Sequence, residues 1–470
     1  MAYMSCAIKE KFEIDEKLDS LVSNITISPE IELSIIKNKN QSIIKSPIKG
    51  GKKILVWGAG NLGFSVLLDS LLQNSLLDNP IDIKMVLPRL SKNVTKRLAP
   101  IYKYNGTAIK NTLTKEEFFI ELKPEQFIPS WDENKFQDAI NDSQIIIIAI
   151  PDISIARKAV FDELELFMGK TVVFIPGGEG GIIETARKVY ENKIDTTIGF
   201  LETSPYGSRM GGTLNFKRKN KVDISAFPVS KTERVKKILE EIFPLKNDKN
   251  KNIMSFNNTS PIDIILGGRN YIFHCAVVLD PENILRSRGN RLSYNHYLEG
   301  VTKEVARIME KLDEERIAIA KAYGIDSEPI NKLLDTHYGI GEYSSYYEAF
   351  QACKNVYSSR PPCVEELASH RYILEDLPGM AVIEKLGMIA GVETPVTSKL
   401  FQAFKWNANA IGVKDEDIQG YREALEAMPL EKTELVSYLT NPLSFLTKNY
   451  HKNVFNPQNP GRILFKPIVI

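Results

Sequence analysis

Residues 52–73, KKILVWGAGNLGFSVLLDSLLQ, constrain this 470-residue chain more than any other stretch. Ile54 to Trp57 form a short apolar strand, and Phe64 to Leu72 repeats at helical spacing through Val66, Leu67 and Leu71. Between them lies a G-x-G-x-x-G turn made of Gly58, Ala59, Gly60, Asn61, Leu62 and Gly63. In such a turn the first glycine makes a tight bend and the second lets the backbone approach a pyrophosphate. The third lets helix and strand pack closely. Free N–H groups at the helix start then face the phosphates, with the helix dipole assisting. Glycine turns also serve simply to change direction, so the hexapeptide alone decides little. A strand before it and a helix after it are the context that points to a dinucleotide.

The same alternation continues along the chain. Further strands are predicted at Ile81 to Leu87, Ile145 to Ile150 and Thr171 to Ile175, with helices at Ile155 to Phe167 and Ile182 to Tyr190. Strands alternating with helices argue for a parallel sheet covered on both faces, and the apolar runs at Ile145 and Val172 fit strands buried on both sides. After about residue 255 the pattern becomes helical, at Thr302 to Tyr323, Met380 to Ile389, Val396 to Phe404 and Tyr421 to Ala427. The expected fold is therefore an α/β Rossmann-type doubly wound parallel sheet followed by a predominantly α-helical second domain. The expected boundaries are an N-terminal extension at 1–50, a dinucleotide-binding domain at 51–255, a helical substrate domain at 256–440 and a tail at 441–470. Two domains also suit the length. The extension leaves a helical arm, an oligomer contact and a loose tail open. Pro442, Pro457 and Pro460 suggest an irregular tail.

Composition excludes several classes. The net charge of +1 gives no general attraction to nucleic acid or to an anionic membrane surface. Cys6, Cys275, Cys353 and Cys363 form no C-x-x-C pair and no metal-ligand spacing, and they read as reduced thiols of a cytoplasmic protein. Acidic residues interrupt the start, MAYMSCAIKEKFEIDEK, where a signal peptide needs an apolar core. The longest apolar runs, such as IIIIAI at Ile145 to Ile150, are short of a membrane span.

Cofactor choice should be written at the end of the second strand, where NAD-binding chains place Asp or Glu against the ribose hydroxyl. Here Arg89 stands near that point, followed by Ser91, Lys92, Lys96 and Arg97. A guanidinium pairs with a 2′-phosphate that a carboxylate would repel, so NADPH is favoured over NADH. A solvated basic loop is the alternative. Pro151, after the buried strand, and Gly177 and Gly178 in IPGGEGG fall at the carboxyl edge of the sheet, where ligands sit in such folds. The glycines there either let a nicotinamide approach the backbone or form a flexible loop. His274 lies in an apolar segment after Asn270, and a lone histidine there is more often a hydrogen-bonded core residue than a catalyst. Arg371, Glu375 and Asp376 cluster before Pro378; such a group is usually a structural ion pair. His296, His337, His370 and His451 have no metal-ligand spacing, and Tyr343, Tyr346 and Tyr347 fit helix packing better than a substrate wall.

The order of these motifs resembles the NAD/NADP octopine/nopaline dehydrogenases, the opine dehydrogenases. Members show a PG-x-x-GG loop, matched by Pro176, Gly177, Gly180 and Gly181. They also show E-T-x-x-x-Y-x-x-R, matched by Glu202, Thr203, Tyr206 and Arg209. Asn270 and His274 match N-x-x-x-H, and Asp313, Glu315 and Arg316 match D-x-E-R. Arg371, Tyr372, Glu375, Asp376 and Pro378 match most of R-Y-x-x-E-D-x-P-Y-G. The likeness spans about residues 52 to 410. It departs at Gly379, where the family has tyrosine, and at Cys275, where it has proline. The resemblance implies reductive condensation of an amino acid or amine with an α-keto acid through an imine. It also implies His274 as the proton-transfer group oriented by Asp376, and Arg371 holding a carboxylate. Arg371, Tyr206 and Asn270 are then the expected substrate contacts. A homodimer is left open. Competing readings are a ketone reductase of the glycerol-3-phosphate or ketopantoate type and a dinucleotide-sensing protein without turnover.

Overall fold

In the computed structural model the described residues are 27, 31–32, 35–36, 43–44, 51–74, 81–88, 92–243, 254–287, 294–356 and 370–449. Their centre is an eight-stranded sheet. Its strands are β1 (Lys53–Trp57), β2 (Asp82–Leu87), β3 (Phe127–Pro129), β4 (Ile145–Ile148), β5 (Thr171–Phe174), β6 (Thr197–Leu201), β7 (Lys221–Phe227) and β8 (Ser255–Asn258). They lie side by side in the order β3-β2-β1-β4-β5-β6-β7-β8. The chain reverses its direction of travel across the sheet between β1 and β4, which opens a crevice at their carboxyl ends. Every pair is parallel except β6–β7, where Ile224 stands opposite Leu201 in antiparallel register.

Side chains alternate across each strand, so each strand feeds two cores. Leu55, Trp57, Ile146, Ile148, Val172 and Phe174 join the core that contains the helical domain, including Ile264, Ile265, Tyr271 and Ile272. Ile54, Val56, Ile145, Ile147 and Val173 face the other way, onto Phe64, Val66, Leu67 and Leu98. The second domain is thus not a separate globule on a hinge. It shares a continuous apolar core with one face of the sheet.

Helix α1 (Asn61–Asn74) follows the glycine turn and α2 (Lys92–Tyr104) follows β2. Beyond α1 lies a second sheet that the sequence reading did not anticipate. Its strands are Ile43–Ile44, Glu117–Glu121, Gly106–Asn111, Thr213–Arg218 and Tyr206–Met210, in that order. The expected helix at 155–167 is divided into α3 (Ser154–Phe161) and a 3-10 turn at Leu164–Phe167, and α4 (Glu179–Asn192) follows β5.

The helical region contains α5 (Pro261–Gly267), α6 (Asn270–Leu279), α7 (Lys303–Ala322), α8 (Ile330–Tyr338), α9 (Arg371–Leu374), α10 (Asp376–Ala390), α11 (Pro395–Ala410) and α12 (Asp415–Ala427). Residues Pro261–Leu279 are apolar and long enough to cross a membrane by length and composition, but most of them are buried inside the molecule. Helix α12 returns to pack on α3 and α4 of the sheet domain. One expectation is corrected at the tail. Pro442 does not begin an irregular segment; it opens a helix, Pro442–Asn449, that lies against α4. Proline suits a helix start because its missing N–H has no partner there to lose. Pro457, Pro460 and His451 lie outside the described residues.

Candidate active site

The glycine turn joins the end of β1 to α1. Gly58 has φ 128°, and a methyl group there would collide with the Ala149 carbonyl at the end of β4. A methyl on Gly63 would collide with the Gly58 carbonyl, so this glycine seats the helix on the turn. A methyl on Gly60 would meet nothing within 4 Å. The chain's own packing therefore explains the first and third glycines and leaves the second facing free space. That is the pattern a pyrophosphate cradle requires. Leu62 packs into the core, and the Asn61 amide oxygen accepts from the Met210 N–H at 3.0 Å and from Arg97 at 3.3 Å. Arg97 also donates to the Ala59 carbonyl at 2.9 Å and the Met210 carbonyl at 3.2 Å, bracing the turn against the second sheet. Arg89 and Ser91 lie outside the described residues, and Lys92 is placed only by its backbone at the start of α2.

At the neighbouring strand ends the glycines make room for this chain's own side chains. Gly177 makes room for the Phe200 ring and donates to the Leu201 carbonyl at 2.7 Å. Gly178 and Gly181 make room for the Asp152 carboxylate, with which a methyl on Gly178 would collide. The space on the Cβ side of both glycines is thus filled by this chain's own atoms. Pro151 is exposed at the same edge.

Asp152 belongs to a buried, acid-rich cluster. Arg157, 1% exposed, donates to Glu184 at 2.9 and 2.8 Å and pairs with Asp152. The Asp152 N–H donates to Glu375 at 3.2 Å, which ties the strand edge to the turn before α10. Burial pushes Asp152 up to about 7 against the pull of Arg157. Glu179, first residue of α4, is 5% exposed and its Oε1 has no hydrogen-bond partner among the described residues. Burial, with Asp152 nearby, pushes Glu179 up to about 8. Its carboxyl is packed against Gly268 and Gly379, where any larger Gly268 side chain would collide with it. Gly379, where the chain departs from the pattern it resembles, thus falls beside this acid.

One residue beyond Glu375 comes the pair that the resemblance singled out. His274 on α6 holds Asp376 on α10 at 2.9 Å through Nδ1, across 102 residues of chain. Its Nε2 stands 3.0 Å from the Tyr297 hydroxyl. Tyr372 stacks on the imidazole at 3.8 Å between ring centroids, and His296 lies at 5.7 Å. The Cys275 thiol is 4.0 Å from Asp376 Oδ2, and burial keeps it well above the usual thiol range. Asn270 begins the same helix one turn before His274. Arg371 begins α9, five residues before Asp376, and its side chain lies outside the described residues.

The remaining motifs are structural in this fold. Tyr206, expected at the substrate, is instead buried beneath α1, its hydroxyl donating to Asp69 at 2.7 Å. Arg218 joins the same carboxylate at 3.0 Å. Glu202 pairs with Arg269. Lys219, which the sequence reading passed over, donates to Thr203 at 2.6 Å, and burial pulls its amine down to about 7.

A dinucleotide-type turn, a sheet whose carboxyl edge abuts a helical domain, and a buried imidazole–carboxylate pair where the two meet define a Rossmann-type sheet joined to a helical domain, with a candidate active site at the junction. Residues 257–405 match the alpha-helical domain of the NAD/NADP octopine/nopaline dehydrogenase family. It is 26% identical over 275 residues to the opine dehydrogenase of Arthrobacter sp. (strain 1C), covering 55% of this chain and 69% of that one. Octopine dehydrogenase solved with NADH and L-arginine superposes with a TM-score of 0.55 at 15% identity, covering 84% of this chain and 98% of that one. The same enzyme has also been solved with NADH and pyruvate. Yersinopine dehydrogenase bound to NADP+ gives a TM-score of 0.55 at 14% identity, covering 84% and 99%. The chain is an NAD(P)-dependent oxidoreductase in class.

Proposed function

We propose that this protein reductively condenses an amine, such as an amino acid, with an α-keto acid. The observation that carries the reading is the His274–Asp376 pair held at 2.9 Å beside the sheet edge. The neighbouring octopine dehydrogenase, which takes L-arginine and pyruvate in its complexes, supports the same two substrate classes. NADPH is the proposed reductant. Arg97 beside the turn is pulled down by burial and by the nearby Arg209 cation, a concentration of positive charge that suits an extra phosphate.

The turn at Gly58, Gly60 and Gly63 would hold the dinucleotide, which when bound would supply the hydride for the imine carbon. The chain's own residues hold the proton. Ionised Asp376 accepts from Nδ1, so the neutral imidazole carries its proton there and presents Nε2 as the base. When Nε2 gains a proton, the Asp376 carboxylate stabilises the imidazolium without taking the proton itself. That cycle serves both steps before reduction: withdrawal of a proton from the amine, and delivery of one to the departing carbinolamine oxygen. Arg371 is proposed to hold the keto acid carboxylate, and Asn270 to line the same side. Glu375 anchors the turn through Asp152 and takes no part in proton transfer.

The test is a cofactor-oxidation screen crossing amino acids and polyamines with pyruvate, 2-oxoglutarate and glyoxylate. Oxidation that needs both a keto acid and an amine is expected, and oxidation by the ketone alone would favour a simple reductase. In His274→Ala, turnover is expected to fall roughly 100- to 10,000-fold with NADPH binding intact. Unchanged turnover would remove histidine from the chemistry.

A further inference from the structure

We propose that Tyr297 is the group through which His274 exchanges its proton, a step that rests on the imine-forming reading above. Both ring nitrogens of the imidazole are engaged. Asp376 occupies Nδ1 at 2.9 Å and the Tyr297 hydroxyl occupies Nε2 at 3.0 Å. One ring face is covered by Tyr372, stacked at 3.8 Å and 21°, and His296 stands to the side at 5.7 Å. Cys275 adjoins Asp376 rather than the ring nitrogens. His274 is 1% exposed and Tyr297 is 6% exposed, so the hydrogen-bonded pair is shielded from bulk water. With Nε2 engaged by that hydroxyl, a proton passes to or from the ring nitrogen through a neighbour that both donates and accepts. The tyrosine hydroxyl does both.

The transfer balances as a concerted exchange. In dehydration, Nε2–H gives its proton to the Tyr297 oxygen as the Tyr297 hydroxyl proton passes to the carbinolamine hydroxyl. The C–O bond breaks, water leaves, and the nitrogen lone pair forms the C=N bond. Imidazole and phenol both end neutral. In amine activation the protons move the opposite way and leave the imidazolium beside Asp376. Tyr297 is itself held in place. Its ring lies parallel to Phe350, with centroids 6.4 Å apart, and edge-on to His296 at 4.8 Å.

Tyr297→Phe keeps the ring and removes only the hydroxyl. The expected result is a fall in kcat on the order of 100-fold, with the KM values for amine and keto acid within about twofold, and an altered kcat–pH profile. A second readout does not depend on turnover. With only five histidines in the chain, 15N-histidine spectra assigned through His274→Gln resolve this imidazole. Wild type should show the Nδ1–H tautomer, and Tyr297→Phe should move both the Nε2 resonance and its titration midpoint. A variant with wild-type kcat, or with an unmoved Nε2 resonance, overturns the relay. If wild type shows no amine-dependent oxidation, the enzymatic reading fails, while the spectra still report on the Tyr297 hydrogen bond. The two failures are therefore separable.

Discussion

Two buried charge clusters in this protein come from motifs of the same kind, yet they are built on opposite principles. Around Arg316, 0% exposed, the charges are closed on themselves. Its guanidinium donates to Asp313 at 2.6 Å, to the Leu266 carbonyl at 3.0 Å and to the Glu328 carbonyl at 2.9 Å, and it bonds Ser327. Asp313 in turn accepts from the Ile330 N–H at 3.0 Å and from Tyr346. At the strand edge, acids outnumber their partners: Asp152, Glu184 and Glu375 gather around Arg157, and Glu179 lies beside Asp152 and Glu375. Burial, reinforced by the neighbouring carboxyls, pushes Asp152 and Glu179 up to about 7 and 8. A satisfied cluster fixes a fold. A surplus of buried carboxyls stores protons near neutral pH, which suits the neighbourhood of a reacting centre.

The largest expected effect breaks the closed cluster. Arg316→Met removes the cation and leaves Asp313 buried with a charge its remaining donors cannot balance. The expected loss is about 3–5 kcal/mol of stability, read as a fall in the chemical-denaturation midpoint. A loss below about 1 kcal/mol would mean that Asp313 takes up a proton cheaply and that the two clusters differ less than their geometry says.

The open cluster responds to pH instead. In the folded chain Glu179 keeps its proton up to about pH 8, whereas an ordinary glutamate releases it near 4.5. Between those values the unfolded chain binds fewer protons than the native one, so stability falls as pH rises. The contribution is fully present below the lower value and is lost as pH rises through the upper one. One such group changes stability by on the order of 1 kcal/mol per pH unit within that window. Glu179→Gln should remove part of this decline, giving a melting temperature above wild type at about pH 8 and close to it at about pH 5. Parallel melting curves across pH would show that Glu179 does not hold its proton.

Sequence patterning made the first half of this molecule legible. The strands at Ile54 and Ile145 are short, apolar and bounded by turn residues, and the glycine turn fixes what must follow them. It failed at β6 and β7, where TIGFL and KVDISAF mix small, polar and apolar residues without clean alternation. The stretch Leu201 to Arg209 was read for chemistry, although much of it forms a sheet edge over α1. Spacing could not pair His274 with Asp376, because contact across 102 residues is a property of the fold; the family resemblance supplied it. Tyr297 carried no signal beyond being an aromatic residue next to His296. Its significance is a single hydrogen bond that only coordinates reveal. The D-x-E-R residues were visible as types, but not the carbonyls that complete their bonding.

Glu315 tests whether even the outer member of that motif belongs to the scaffold. Its carboxylate accepts from the Val396 N–H at 2.7 Å and the Thr397 N–H at 2.8 Å, in the first turn of α11. Those N–H groups have no partner within their own helix, and a negative charge at that end also opposes the positive pole of the helix dipole. Glu315→Ala should therefore cost about 1 kcal/mol, the usual value of a lost cap. Hydrogen exchange at Val396 and Thr397 should quicken, with exchange in α6 and α10 unchanged. Glu315 is half-buried, so water can replace the lost acceptor, which keeps the effect below that of Arg316→Met. The pH dependence of stability should stay as in wild type, because the carboxyls that hold protons near neutrality sit at the strand edge. A variant that altered that dependence would show the two clusters to be coupled through α7 and would erase the distinction between them.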